Sequence, residues 1–282
     1  VTGGLRVALT GAAGSLAADV IPGLLERGHR ITAIDERPLS ALPEEVRTVE
    51  CSITDREELA AAVASSDVIV HLAGIPLEAP WQDILAVNVD GTQAILEAAR
   101  IEGISRVVLA SSIHAAGFVP VPPEGEFVPD DVAARPDTFY GASKAMLESL
   151  GALYNDRHGI DVVCLRIASR FPRPMDERML STWLSPDDAT RLVHASLMIS
   201  RPGYRLVWGV SANSAGYLSP RGGRAIGYEP QDDAAVYASA LAERSAHDQT
   251  IGLSEWERRF IGGEFCSAEP PRFIPFAERE QS

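Results

Sequence analysis

The chain has 282 residues, 46% of them hydrophobic and 23% charged. That is the composition of an ordinary globular protein long enough to bury a full core. A formal net charge of −14 and an isoelectric point near 4.9 repel phosphate backbones and anionic lipid, so nucleic acid and membrane surfaces are excluded as partners. Cys51, Cys164 and Cys266 are odd in number, far apart and without metal-ligand spacing. They point to a reducing compartment, read as the cytoplasm, and to no metal site. No signal peptide precedes the first predicted strand, and no apolar run approaches the ~20 residues of a membrane helix.

From the N-terminus, short β-branched runs alternate with amphipathic stretches, which predicts strand-helix units and a doubly wound parallel α/β sheet. The predicted strands are Arg6 to Thr10, Arg30 to Ile34, Arg47 to Glu50, Val68 to Leu72, Arg106 to Ser111 and Asp161 to Ile167. The predicted helices are Leu16 to Arg27, Arg56 to Ala64, Asp83 to Ile101 and Phe139 to Arg157, with apolar residues recurring at three and four spacings. Pro22 should remove one backbone bond from the first helix and bend it. Residues 1–167 are thus expected to form a dinucleotide-binding core. Beyond it, 168–282 should form a small substrate-binding region: Ser185-Pro186 starts a helix running to about Ile199, a strand at Arg205 to Val210 is expected to join the sheet, and a helix should follow at Gln231 to Ala242. The last forty or so residues read as a docked tail.

Thr10-Gly11-Ala12-Ala13-Gly14-Ser15-Leu16-Ala17 turns sharply from the first strand into the first helix. Gly11 and Gly14 let bare amides and the positive helix end face a pyrophosphate. Ala17 takes the place of a third glycine that serves helix packing. Asp35 follows the second strand at the offset of a carboxylate that accepts from ribose hydroxyls. An acid there repels a ribose phosphate and favours NAD over NADP, although nearby Arg37 could offer a compromise.

Tyr140 and Lys144 are one helical turn apart, so their side chains share a face. At ~4 Å and an effective dielectric of ~20 their attraction is about 4 kcal/mol, which would take about three pK units off the phenol and make it a general base. Ser111 and Ser112 end the fifth predicted strand, at the sheet edge where ligands of such folds bind, and a hydroxyl there can orient a reacting oxygen. His114 lies on the same rim. The other histidines show no ligand clustering.

These residues, with His71-Leu72-Ala73-Gly74 and Asn88, resemble an extended short-chain dehydrogenase/reductase. Further on, Arg178 to Ser185 with Asp187-Asp188, and Val207-Trp208-Gly209-Val210-Ser211-Ala212-Asn213, resemble the NAD-dependent uronate dehydrogenases, as do Trp81, Pro172 and Gly262-Gly263. The resemblance implies oxidation of a hexuronate to an aldarolactone, with Tyr140 taking the hydroxyl proton and Ser112 positioning the sugar. It implies that NAD lies against Gly11, Ala13, Gly14, Ser15, Leu16, Asp35, Ser52, Ile53, Leu72, Ala73, Gly74, Asn88, Tyr140, Lys144 and Ile167. Lys144 would hold the nicotinamide ribose. The sugar acid would meet Ser112, Ile113, His114, Tyr140, Ser169, Pro76 and Arg178, whose planar fork suits a carboxylate. The resemblance also implies a homo-oligomer paired through the helices near Asp90 to Ile101 and Phe139 to Arg157.

The chain departs from that family at three positions. Ile113 stands where an asparagine is usual, Pro76 where a serine is usual, and Ser52 where an acid contacts adenine. Each exchange at the sugar replaces a polar group with carbon, which leaves substrate hydroxyls unpaired and points to a less hydroxylated substrate or one that is not a uronate. Two other readings remain open: a nucleotide-sugar epimerase or dehydratase, and a non-catalytic NAD-binding sensor in which Tyr140 is expendable.

Overall fold

The computed structural model describes residues 4–39, 42–248 and 251–273. Its centre is a parallel seven-stranded sheet in the order β3-β2-β1-β4-β5-β6-β9. The strands are β1 (Arg6–Thr10), β2 (Arg30–Asp35), β3 (Arg47–Glu50), β4 (Val68–His71), β5 (Arg106–Ser112), β6 (Asp161–Ile167) and β9 (Tyr204–Gly209); a separate short pair is formed by β7 (Ser169–Arg170) and β8 (Trp183–Leu184). The order reverses between β1 and β4, which opens a crevice above their C-terminal ends. The fold is a Rossmann-type doubly wound α/β sheet.

Both faces of the sheet are dry, and the strands show it by alternation. Val7, Leu9, Val70, Val108, Val163 and Leu165 join one hydrophobic cluster with α1 (Ser15–Glu26) and α7 (Pro186–Met198). Ala8, Ile69, Val107, Leu109, Val162 and Cys164 join the other, with α2 (Arg56–Val63), α4 (Gly91–Ile101) and α5 (Phe139–His158). Successive side chains of a strand point to opposite faces, so one alternating run feeds two cores. Each fully buried aliphatic side chain contributes about 1.5–3 kcal/mol.

Pro22 lies inside α1 on its exposed side, where the carbonyl it leaves unpaired can be solvated. The helix continues through it. Next to it, Gly23 lets α1 press on α7: a Cβ there would lie 2.5 Å from the Thr190 methyl. The stretch predicted as one helix over 83–101 is helical from Trp81, but in three parts: α3 (Trp81–Ile84), a π-helical turn (Leu85–Asp90) and α4. Such turns gather at functional sites, and this one carries Asn88. Ser185 caps α7 as expected, its hydroxyl accepting from Asp188 N at 2.9 Å. β9 extends the sheet beyond β6, pairing Val162 with Tyr204 through Ile167 with Gly209.

The helix predicted from Gln231 starts later. Gln231 N and Asp232 N donate to the buried Asp188 carboxylate at 2.9 and 3.0 Å, which holds them extended. Asp233 then caps a 3-10 turn (Ala234–Tyr237) leading into α9 (Ala238–Ser245). The other short helices are α6 (Met179–Thr182), α8 (Arg221–Ala225) and α10 (Glu255–Arg259). No helix among the described residues is long and apolar enough to cross a membrane.

Candidate active site

Gly11 takes φ +74°, and a Cβ on it would lie 2.6 Å from Ala73 N, so only glycine lets the β1 turn pass beneath the β4 loop. Gly14 is the N-cap of α1. It offers no side chain, and the first turn holds no acid. The first intrahelical bond is Ala18 N to Gly14 O, so the amides of Ser15, Leu16 and Ala17 precede the ladder. An N-terminus with uncapped amides and the positive end of the dipole suits a pyrophosphate. Asp35, at the end of β2 and 7% exposed, accepts from Ala13 N at 3.0 Å and from Arg37 N and Nε at 3.0 and 3.2 Å. The Arg37 guanidinium lies beside this carboxylate and stays 43% exposed, and the carboxylate suits ribose hydroxyls.

After β3, Ile53 packs on Gly91, where a Cβ would lie 2.5 Å from Ile53 Cδ1. Ser52 donates to Glu36 at 3.4 Å and shares a hydrogen bond with Thr54. Leu72, Ala73 and Gly74 form the rim after β4, with Leu72 N donating to Thr10 O. Gly74, at φ +154°, makes room for Asn88 Oδ1 and Lys144 Nζ, which a Cβ would meet at 3.1 and 3.7 Å. Ile167 ends β6 on the same edge. The Asn88 amide accepts from Ile75 N and donates to Ile75 O and Ser143 Oγ, which shapes the rim loop.

Thr138 caps α5 by accepting from Gly141 N at 2.9 Å. That cap puts Tyr140 in the first turn, where Glu78 accepts from its N–H at 3.1 Å. Lys144 follows one turn later and donates to Ala110 O at 2.8 Å. Its ammonium stands 5.7 Å from the centre of the Tyr140 ring. Both side chains are buried, and burial pushes the phenol up to about 12, opposed by the Ser112 hydroxyl and assisted by the nearby Asp137 charge. Burial takes Lys144 down to about 8, with Glu148 pulling the other way. The lysine charge is expected to draw the phenol toward neutrality; burial raises it instead.

The two serines of β5 divide by strand parity. Ser112 faces Tyr140 and accepts from His114 N at 3.2 Å. Ser111 points the other way and donates to Glu148 at 2.6 Å. Glu148 is bound bidentately by the buried Arg166 at 2.8 Å on both oxygens, and Arg166 Nη1 also donates to Asp130 O and Val132 O. This buried pair holds α5, β5 and β6 together directly behind Lys144.

Arg178 donates through Nη1 to Ser169 Oγ at 3.0 Å and through Nη2 to Ile261 O at 2.6 Å. Its Nε is buried with no hydrogen-bond partner among the described residues. That Nε lies against Gly263, where a Cβ would be 2.9 Å from it, so the guanidinium is fixed beside Ser169, where its charge suits a carboxylate. Ser169 is held by Thr182 as well, at 2.9 Å. Pro76 is exposed on the rim and has no side-chain donor. Ile113 departs from its expected place against the sugar: it is 1% exposed and packs with Trp208, Val210 and Ile261. Apolar side chains there are drawn into that cluster.

The sequence reading missed three features. Asp137 accepts from His114 Nδ1 at 2.7 Å. Glu78 fixes the Tyr140 amide. The segment after α10 closes one wall: Ile261 N and Gly262 N donate to Val119 O and Gly117 O, Phe265 stacks on His114 with ring centres 3.7 Å apart, and Pro271 and Phe273 pair with Glu78. Proximity of Asp137 to Tyr140 in the sequence was the one available signal.

A dinucleotide cradle joined to a buried Tyr-Lys-Ser cluster defines a Rossmann-type, NAD-dependent oxidoreductase. The comparisons agree. Residues 7–186 match the NAD dependent epimerase/dehydratase family. A uronate dehydrogenase of Pseudomonas syringae pv. tomato is 38% identical over 84% of this chain and 85% of its own, and one of Agrobacterium fabrum is 37% identical over 92% and 96%. The solved structure of a uronate dehydrogenase from Agrobacterium tumefaciens, a tyrosine-to-alanine mutant complexed with NAD, superposes with a TM-score of 0.84 at 35% identity, covering 93% of this chain and 97% of that one. The chain belongs to the NAD-dependent epimerase/dehydratase family.

Proposed function

We propose that the protein oxidises a hexuronate at its anomeric carbon to an aldarolactone, using NAD. The observation that supports this is Arg178, a guanidinium bound to Ser169 Oγ and near enough to His114 to lower its pKa, which sets a cation beside the Tyr140 and Ser112 cluster. Arg178 takes the sugar carboxylate, and Ser112 orients the anomeric hydroxyl toward Tyr140. NAD, held at the Gly11 and Gly14 turn and at Asp35, would supply the hydride acceptor. Once ionised, with the Lys144 ammonium and the Ser112 hydroxyl beside the phenolate, Tyr140 takes the hydroxyl proton while the hydride leaves the same carbon and the lactone carbonyl forms. Lys144 holds the nicotinamide ribose and lies against the tyrosine ring.

In this reading residues 1–167 carry the cofactor and 168–282 most of the substrate wall. The three buried free cysteines suit a reducing cytoplasm. Phe139, Met146 and Leu153 are exposed at seven-residue intervals on α5 and would be covered by a second copy. The test is NADH formation at 340 nm with galacturonate or glucuronate. No NADH with either would remove the uronate reading. The exposed Pro76, which has no side-chain donor, favours a second reading, a less hydroxylated sugar acid, which a panel of deoxy acids separates.

A further inference from the structure

The Asp137 carboxylate is fully buried, at 0% side-chain exposure. Three glycines from three segments wall it in: a Cβ on Gly117 would lie 1.9 Å from Oδ2, one on Gly262 2.3 Å from Oδ2, and one on Gly141 2.7 Å from Oδ1. Any side chain larger than hydrogen at these positions would displace it. A buried carboxylate needs a partner, and the partners here are the Thr138 hydroxyl, which donates to Oδ1 at 2.9 Å, and His114 Nδ1, 2.7 Å from Oδ2.

We propose that Asp137 is a positioning residue that holds His114 with its proton on Nδ1, so that a bare Nε2 faces the cleft and accepts a hydrogen bond from a substrate hydroxyl. An ionised carboxylate can only accept, so the proton between the two groups belongs to the imidazole. Burial, together with nearby Arg178, lowers the His114 pKa more than Asp137 raises it, so the ring is neutral and Nε2 carries a lone pair. Nε2 has no protein partner among the described residues, and the side chain keeps 12% exposure. Phe265 stacked on one face and the Tyr140 ring, 5.8 Å away, fix the plane of the imidazole. With Ile113 withdrawn into the core, this nitrogen is a neutral acceptor beside Ser112. The substrate class rests on the uronate reading above; the tautomer does not.

Asp137→Asn is the discriminating variant. Thr138 accepts from Gly141 N and so directs its own proton to Oδ1. The amide oxygen is kept on that side, and the NH2 faces His114 Nδ1. The imidazole must then accept at Nδ1 and carry its proton on Nε2, which turns the acceptor into a donor. Nitrogen-15 NMR of His114 at pH 7.5 should show Nδ1–H in the wild type and Nε2–H in the variant. With galacturonate or glucuronate, kcat/KM should fall on the order of 10- to 100-fold, with the Kd for NAD unchanged. A wild-type ring protonated on Nε2 or on both nitrogens overturns the proposal without any variant. A flipped tautomer with unchanged kcat/KM overturns the positioning role. If neither uronate is oxidised by the wild type, the substrate reading fails, while the wild-type tautomer, read without substrate, still decides the Asp137 assignment.

Discussion

Glu148 and Arg166 face each other with both carboxylate oxygens held at 2.8 Å, in the interior directly behind Lys144. Removing one partner strands the other charge in a dry core. Arg166→Met should cost about 3–5 kcal/mol in urea unfolding, and Arg166→Met combined with Glu148→Gln should cost less than the single change. If the double variant were the less stable of the two, the pair would not be the source of the penalty.

Tyr140→Phe removes the proton acceptor and leaves the cradle of Gly11 and Gly14 untouched. Turnover should drop by about 10²- to 10⁴-fold, while calorimetric titration gives the wild-type Kd for NAD. Retained turnover would mean that another group takes the proton.

Arg178 is held by Ser169 and by the Ile261 carbonyl, so its charge is fixed in place before any ligand arrives. Arg178→Ala should raise KM for sugar acids far more than for the matching neutral sugars, and Arg178→Lys should not restore it, because an ammonium cannot reproduce the fork. Equal effects on acids and neutral sugars in steady-state assays would exclude a carboxylate grip.

Burial takes the Lys144 ammonium from the ordinary lysine value of 10.5 down to about 8. The unfolded chain therefore binds the proton more tightly across that window, and stability rises as pH increases from about 8 to 10.5. Compared with Lys144→Met, the wild type should gain up to about 3 kcal/mol over this range in chemical denaturation. A difference independent of pH would show that the ammonium is better solvated than its burial implies.

Met146 and Leu153 belong to the exposed stripe on α5. Met146→Asp with Leu153→Asp should lower the sedimentation mass to that of one chain. An unchanged mass places any pairing elsewhere.

Features that depend on local spacing were legible in the sequence. The turn at Gly11 and Gly14, the acid at Asp35 and the single helical turn between Tyr140 and Lys144 each sit within one element or its end, where periodicity and offset determine geometry. The start of α7 at Ser185-Pro186 is of the same kind. What could not be read depends on partners distant in the chain. Ser111 and Ser112 are distinguished only by which face of β5 meets Glu148. Asp137 acquires its environment from Gly117 and Gly262, and Gln231 is held straight by Asp188, 43 residues earlier. The direction of the Tyr140 shift was missed because helical spacing reports a neighbour's charge and not the water that folding removes.

Phe265, Ile261 and the pairing of Phe273 with Glu78 bring residues 261–273 onto His114, Arg178 and, through Glu78, Tyr140. All seven strands of the sheet are made before residue 210 leaves the ribosome. A nascent chain can thus complete its sheet, with Tyr140 and Lys144 in place, while this wall of the cleft is still untranslated.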